Sequence, residues 1–278
     1  MLAFAANSVL CRLALKDQAI DPASFSIIRL LSGCLVLAFL LNCRLSLKQV
    51  FGDKKLKNWA PAMMLFIYVV AFSFAYTSMD TGAGALLLFG VVQLTMIGWG
   101  AVLGKRLGLL EFIGVSVSFA GLIYLFYPLL SSPSIINAIL MGLSGVAWAV
   151  YSLLGRSSID PLRDTSINFF RTLPFLLVLF LVCLPFTMIT LSGVMLAVVS
   201  GALASALGYA IWYRALAGLS ETEAAVVQLS VPVIASVGGV LFVSEPLSLR
   251  LLLACLMVLG GIALVITAKR LLSDTKRV

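Results

Sequence analysis

VVQLSVPVIASVGGVLFVSEPLS, residues 226–248, is almost wholly apolar, yet it holds Gln228 and Pro232 inside the run and Glu245 only at its end. In a water-soluble helix a mid-run proline breaks the hydrogen-bond ladder and costs about 3 kcal/mol. Here it stands among valines, with no loop-forming composition around it. Such a run fits a bilayer-spanning helix, in which neighbouring helices and side chains satisfy the backbone groups a proline frees.

The rest of the chain agrees. Of its 278 residues, 62% are hydrophobic and 11% charged, and the mean hydropathy is +1.14. Soluble domains carry roughly a quarter charged residues, so lipid is the natural solvent. The five cysteines are scattered and show no CxxC spacing, which reads as small apolar side chains rather than a disulfide or zinc framework. There is no histidine, which removes the commonest metal ligand and general base. No metal, cofactor or nucleic-acid partner is expected. The net charge of +8 reads as cytoplasmic loop charge. No cleavable signal peptide is evident, because Met1 opens directly into LAFAANSVL.

Apolar runs between short polar breaks predict ten transmembrane helices, over 1–16, 23–42, 58–78, 82–103, 109–128, 134–154, 165–184, 190–213, 221–243 and 247–268. Breaks such as Asp21-Pro22, Asp160-Pro161 and Glu245-Pro246 supply the punctuation. Positive charge alternates. Arg44, Lys48, Lys54, Lys55 and Lys57 fall in the second loop, Lys105 and Arg106 in the fourth, Arg156 and Arg163 in the sixth, and Arg214 in the eighth. Lys269, Arg270, Lys276 and Arg277 fall in the tail. The odd loops hold only Arg12 and Lys16 in the first and Arg250 in the ninth. By the positive-inside rule both termini are cytoplasmic, and short loops favour a bacterial inner membrane.

The chain also repeats itself. FAANSVLCR (4–12) aligns with WAVYSLLGR (148–156), SIIR (26–29) with NFFR (168–171), and AYTSMDTGAGALLLFGVV (75–92) with ALAGLSETEAAVVQLSVP (215–232). The order is common and the offset nearly constant. Five helices in each half, 1–130 and 131–278, force the second half into the membrane upside down. This is the inverted-topology repeat of secondary transporters.

WAVYSLLGR with its following arginine, the run from ALAGLSETEAAVV to VSEPLS, and the closing LGGIALVI resemble the EamA-type permeases of the drug/metabolite transporter superfamily. The first half departs from that pattern at Phe4, Val92 and Lys105, where tryptophan, proline and glutamate are often found. The resemblance implies an all-α membrane protein of ten helices in two inverted five-helix halves. It also implies a central cavity lined by the first, third, fourth, sixth, eighth and ninth helices, and export of amino acids, related metabolites or lipophilic cations. On this reading Pro232 kinks or loosens the ninth helix beside the cavity.

Candidate site residues follow from helical spacing. Phe4, Asn7, Ser8 and Cys11 share one face of the first helix, and Trp148, Tyr151, Ser152 and Gly155 share the equivalent face of the sixth. Buried amides and hydroxyls in hydrocarbon point inward, so Asn7, Trp148 and Tyr151 are expected to line the cavity, with the serines and Gly155 serving packing. Tyr68, Phe72, Tyr209, Trp212, Trp99 and Gln228 complete the expected substrate lining. Tyr76 and Tyr213, near helix ends, read as an interfacial belt. Arg29 and Arg171 are repeat mates, each well inside its helix. They are expected either to gate or anchor a substrate carboxylate, or to snorkel or pair with Asp21 or Asp164.

No Asp or Glu falls clearly at mid-membrane, which points to facilitated or exchange-like transport rather than proton coupling. The leading expectation is a monomeric carrier of a small amphipathic solute, an aromatic or hydrophobic amino acid first and a lipophilic cation second. A membrane enzyme lacks a nucleophile–base or metal constellation, and a passive channel has no need of an inverted repeat.

Overall fold

A computed structural model describes residues 1–42, 45–52, 59–102, 108–126, 135–156, 158–216, 228 and 230–275. The basic residues Arg44, Lys54, Lys55, Lys57, Lys105, Arg106, Lys276 and Arg277 lie outside the described residues, as does 217–227 of the quoted repeat. The described chain is helical, with α1 Leu2–Lys16, α2 Pro22–Leu40, α3 Leu47–Phe51, α4 Ala60–Ala75, α5 Thr81–Val102, α6 Leu109–Phe126 and α7 Ile135–Gly155. Then come α8 Pro161–Arg171, α9 Leu173–Cys183, α10 Leu191–Val199, a π-helical segment Ser200–Leu207, α11 Gly208–Leu216, α12 Ser230–Val243 and α13 Leu249–Thr275. Among the described residues, six stretches are long and apolar enough to cross a membrane, namely Pro22–Leu40, Thr81–Gly100, Ile135–Gly155, Pro161–Phe186, Leu191–Trp212 and Leu249–Ala268. The apolar helices Ala60–Ala75, Leu109–Leu125 and Ser230–Val243 are shorter, and α1 carries Asn7, Arg12 and Lys16.

The polar breaks start helices as their chemistry requires. The Asp21 carboxylate accepts from the Ser24 amide at 2.8 Å with Pro22 in the first turn, and Asp160 does the same for Arg163 at 3.2 Å ahead of Pro161. The seventh segment therefore begins four residues earlier than expected and breaks at Thr172 before Pro174. The last helix runs to Thr275, beyond the expected 268. The short α3, with a Ser46–Gln49 capping box, was not expected in the second loop.

Close packing rests on small residues. A methyl on Gly114 of α6 would lie 2.5 Å from the Gly261 carbonyl of α13, and one on Gly261 only 2.4 Å from that of Gly114. The two helices run together along their length. Gly82 of α5 meets Ser236 of α12, and Gly238 of α12 meets Val9 of α1. The turns after α1, α4, α9 and α12 gather at one end of the bundle. Ile20 bridges Ile189, the Asp21 amide donates to Met188, and the Asn137 amide donates to Thr77 and Ser78. The outward surface is apolar, with Leu35, Phe39, Phe119, Leu177, Leu181 and Leu256 exposed, as lipid contact demands.

Candidate functional site

The bundle centre is a knot of rings. Trp148 of α7 lies 4.8 Å from Tyr68 of α4, 5.0 Å from Tyr209 of α11, 5.6 Å from Tyr151 and 5.8 Å from Phe4, centroid to centroid. Phe4 also meets Tyr209 and Trp212 edge-on at 5.8 and 5.9 Å, and Tyr68 meets Phe72 at 5.7 Å. These spacings are those of edge-to-face and offset aromatic pairs. Among the described residues, the rings expected to line a central cavity pack on one another. Phe4 and Trp148, aligned with each other in the sequence, touch edge to face.

A polar network adjoins the rings. Arg29 of α2 is fully buried, and its Nε donates to the Ser205 hydroxyl at 2.9 Å. Its Nη2 reaches the Tyr68 hydroxyl at 3.4 Å. The guanidinium carbon stands 5.6 Å from the Tyr68 ring and 5.1 Å from that of Phe72. Ser205 and Ser200 both donate to the Asn7 amide oxygen, at 3.4 and 2.7 Å, and the Asn7 Nδ2 donates to the Ala204 carbonyl at 3.2 Å. In an α-helix residues five apart point about 140° apart. The π-helical segment, closing i to i+5, brings Ser200 and Ser205 to the same amide. Gly201 lets that segment seat on α2, since a Cβ there would lie 2.0 Å from the Arg29 carbonyl.

No acidic side chain pairs with Arg29 among the described residues. Asp21 is spent on capping α2 and on the Met188 amide at 3.0 Å, so the expected Asp21 pairing is corrected. Hydrogen bonds to a charged group, about 1.5–3 kcal/mol each, and the two ring faces, about 2 kcal/mol when desolvated, offset part of the burial cost. Among the described residues Arg29 Nη1 is left without a hydrogen-bond partner, and the Tyr209 hydroxyl meets none at full hydrogen-bonding geometry.

Toward the end where the turns gather, Arg12 closes the bundle. Its Nε lies 3.2 Å from Glu245 Oε1, its Nη1 donates to the Tyr76 and Thr77 carbonyls at 3.1 Å, and its Nη2 stands 3.7 Å from Asp80. Glu245 Oε2 accepts the Thr81 amide at 2.8 Å, and Lys16 donates to the Val243 carbonyl at 2.8 Å. A cleft of about 200 Å³ lies beside this latch, lined by Asp80, Gly82, Ser236, Glu245 and Leu251.

Of the predicted site residues, Asn7, Arg29, Tyr68, Phe72, Trp148, Tyr151, Tyr209 and Trp212 come together. Trp99 does not. It is 51% exposed on α5, and a methyl placed on the adjacent Gly98 would meet nothing within 4 Å. Arg171 lies elsewhere, its Nε donating to the Val50 carbonyl at 2.7 Å and its guanidinium 5.4 Å from the Trp59 ring, where it ties α3 to α8. Gln228 is buried just ahead of α12, and Pro232 is buried in the first described turn of that helix. Tyr76 is not an interfacial residue. It is fully buried, its hydroxyl donating to the Thr81 carbonyl at 3.2 Å. Tyr213's side chain lies outside the described residues. Sequence reasoning missed Ser200, Ser205 and the Arg12–Glu245 pair. Two serines flanking Gly201–Ala204 in an apolar run were the available signal for the first two.

The model of the EamA-like transporter family matches residues 135–267. A protein of Archaeoglobus fulgidus described as an uncharacterized transporter is 25% identical over 250 residues, covering 85% of this chain and 84% of its own. The chain belongs to the EamA-like transporter family. An uncharacterized protein of Pseudomonas aeruginosa is 48% identical over 269 residues, 97% of this EamA-like chain and 92% of the relative. A crystal structure described simply as that of a protein shares the fold, with a TM-score of 0.65 at 18% identity over 96% of both chains. The EamA-like chain is therefore a multi-pass membrane transporter.

Proposed function

We propose that the protein exports small amphipathic metabolites, ring-bearing or otherwise hydrophobic amino acids first, by alternating access of two inverted five-helix halves, 1–130 and 131–278. The single observation that carries this reading is the buried ring cluster joined to the Asn7–Ser205–Arg29 network, an apolar surface and a polar anchor side by side. A solute with a ring and a charged end matches both parts. Helix pairing supports the inverted halves. Counted as spans, α1 with α12 mirrors α7 with α5, α4 with α7 mirrors α10 and the π segment with α1, and α6 pairs with its own mate α13. The latch then closes the outer side, with both termini cytoplasmic in a bacterial inner membrane, and the carrier works as a monomer without cofactor.

The second reading is efflux of a lipophilic cation, which aromatic faces also bind. Arg29 weighs against it, since two unit charges about 6 Å apart at an effective dielectric near 20 repel by about 3 kcal/mol. Counterflow into proteoliposomes loaded with unlabelled amino acids tests the reading. Saturable uptake of a labelled aromatic subset, cut at least tenfold by Trp148→Ala and insensitive to an imposed pH gradient, is expected. Uptake of organic cations alone would replace it with the second reading, and pH-driven accumulation would overturn the exchange mechanism.

A further inference from the structure

Arg29 is the anomaly of the bundle. A charged group at this depth is costly unless it has a counter-charge or a function. Its repeat mate Arg171 is satisfied through a backbone carbonyl and a tryptophan face. Among the described residues Arg29 instead has no acid and one nitrogen without a hydrogen-bond partner, and the Tyr209 hydroxyl beside it, close to that of Tyr68, meets no partner at full hydrogen-bonding geometry. Its other nitrogens are fixed by Ser205 and Tyr68, so the planar fork is held in place before any ligand arrives.

We infer that Arg29, with the Tyr209 hydroxyl, forms an anion subsite that binds the carboxylate of the transported solute. This rests on the ring cluster being the substrate site, and it adds a rule of charge. Solutes bearing a carboxylate, zwitterionic or anionic, are selected, and those whose carboxylate is esterified or absent are rejected. A carboxylate supplies the missing counter-charge and can accept from Arg29 Nη1 and from the phenol together, a charge-assisted pair of the strong kind. The ring of the solute then displaces ring–ring contact within the Phe4, Trp148 and Tyr209 cluster.

The test is competition against labelled phenylalanine counterflow, with four unlabelled probes matched in their ring. These are phenylalanine, its methyl ester, phenethylamine and 3-phenylpropionate, each also scored for its effect on the melting temperature of the purified wild-type protein. Phenylalanine and 3-phenylpropionate are expected to compete and to raise the melting temperature. The ester and the amine should be at least tenfold weaker. Arg29→Gln should erase that preference while Arg29→Lys keeps part of it. Equal competition by the ester or the amine would overturn the anion subsite and leave the amino-acid carrier standing. If 3-phenylpropionate stabilises the wild type and phenylalanine neither binds nor exchanges, the amino-acid reading falls and the subsite stands. Stabilisation by phenethylamine and by neither carboxylate would overturn both. Because the melting comparison uses wild-type protein, it decides even where an Arg29 variant fails to fold.

Discussion

Asn7 shows how one side chain can join two helices in lipid. Its oxygen collects two serine hydroxyls and its nitrogen serves the Ala204 carbonyl. Asn7→Leu would leave the carbonyl and two hydroxyls to find partners in hydrocarbon. Interhelical hydrogen bonds in membranes are worth about 0.6–2 kcal/mol, and an orphaned buried group costs about 1–3 kcal/mol. A loss of about 2 kcal/mol in reversible unfolding from mixed micelles is expected for Asn7→Leu. Ser205→Ala should cost less, and the double variant should fall short of their sum, because both touch one network. Strict additivity in that cycle would show that the two side chains act separately. The inward placement of Asn7 and Trp148 was legible in the sequence, since both sit on a face repeating at three and four residues. The Arg29–Ser205 bond was not, because residues 176 apart in the chain meet only through packing.

At the scale of the element, the π-helical turn decides the site. No hydropathy pattern distinguishes Ser200–Leu207 from the α-helices on either side, so the expected single helix over 190–213 was right in extent and missed the change of winding. Yet the winding aligns Ser200 with Ser205 and lowers Gly201 onto the Arg29 carbonyl. Gly201→Ala should therefore push α2 away from the segment. Overpacking of this kind costs about 1–3 kcal/mol, read as a lower melting temperature and weaker carboxylate-dependent stabilisation. Gly142→Ala and Gly260→Ala are the controls, because a methyl at either position meets nothing within 4 Å. They should be neutral or slightly stabilising, since alanine is the better helix former. Were all three variants alike, the close seat of Gly201 would have no energetic weight.

Across the whole molecule, the all-helical, multi-pass membrane character was readable because lipid admits few spanning structures. The closing of the bundle end was not. Arg12 and Glu245 lie 233 positions apart, and each looks alone like a helix-end charge. Brought together they join α1, the α4–α5 turn and the end of α12 through one guanidinium and one carboxylate. If this latch keeps the outer side shut, removing either partner should favour the outward-open state. Breaking a buried ion pair by removing one member costs about 3–5 kcal/mol, enough to move a two-state equilibrium more than a hundredfold. Cys11 reports on this directly, since it is fully buried on α1 next to Arg12. With the other cysteines replaced by alanine, a membrane-impermeant maleimide added outside should label Cys11 at least tenfold faster in Arg12→Gln or Glu245→Gln than in the parent. A saturating transported solute that favours the occluded state should slow that labelling again. Equal rates in parent and variants, in protein that still melts cooperatively, would mean that the ring cluster alone holds the carrier shut and the latch only ties its turns together.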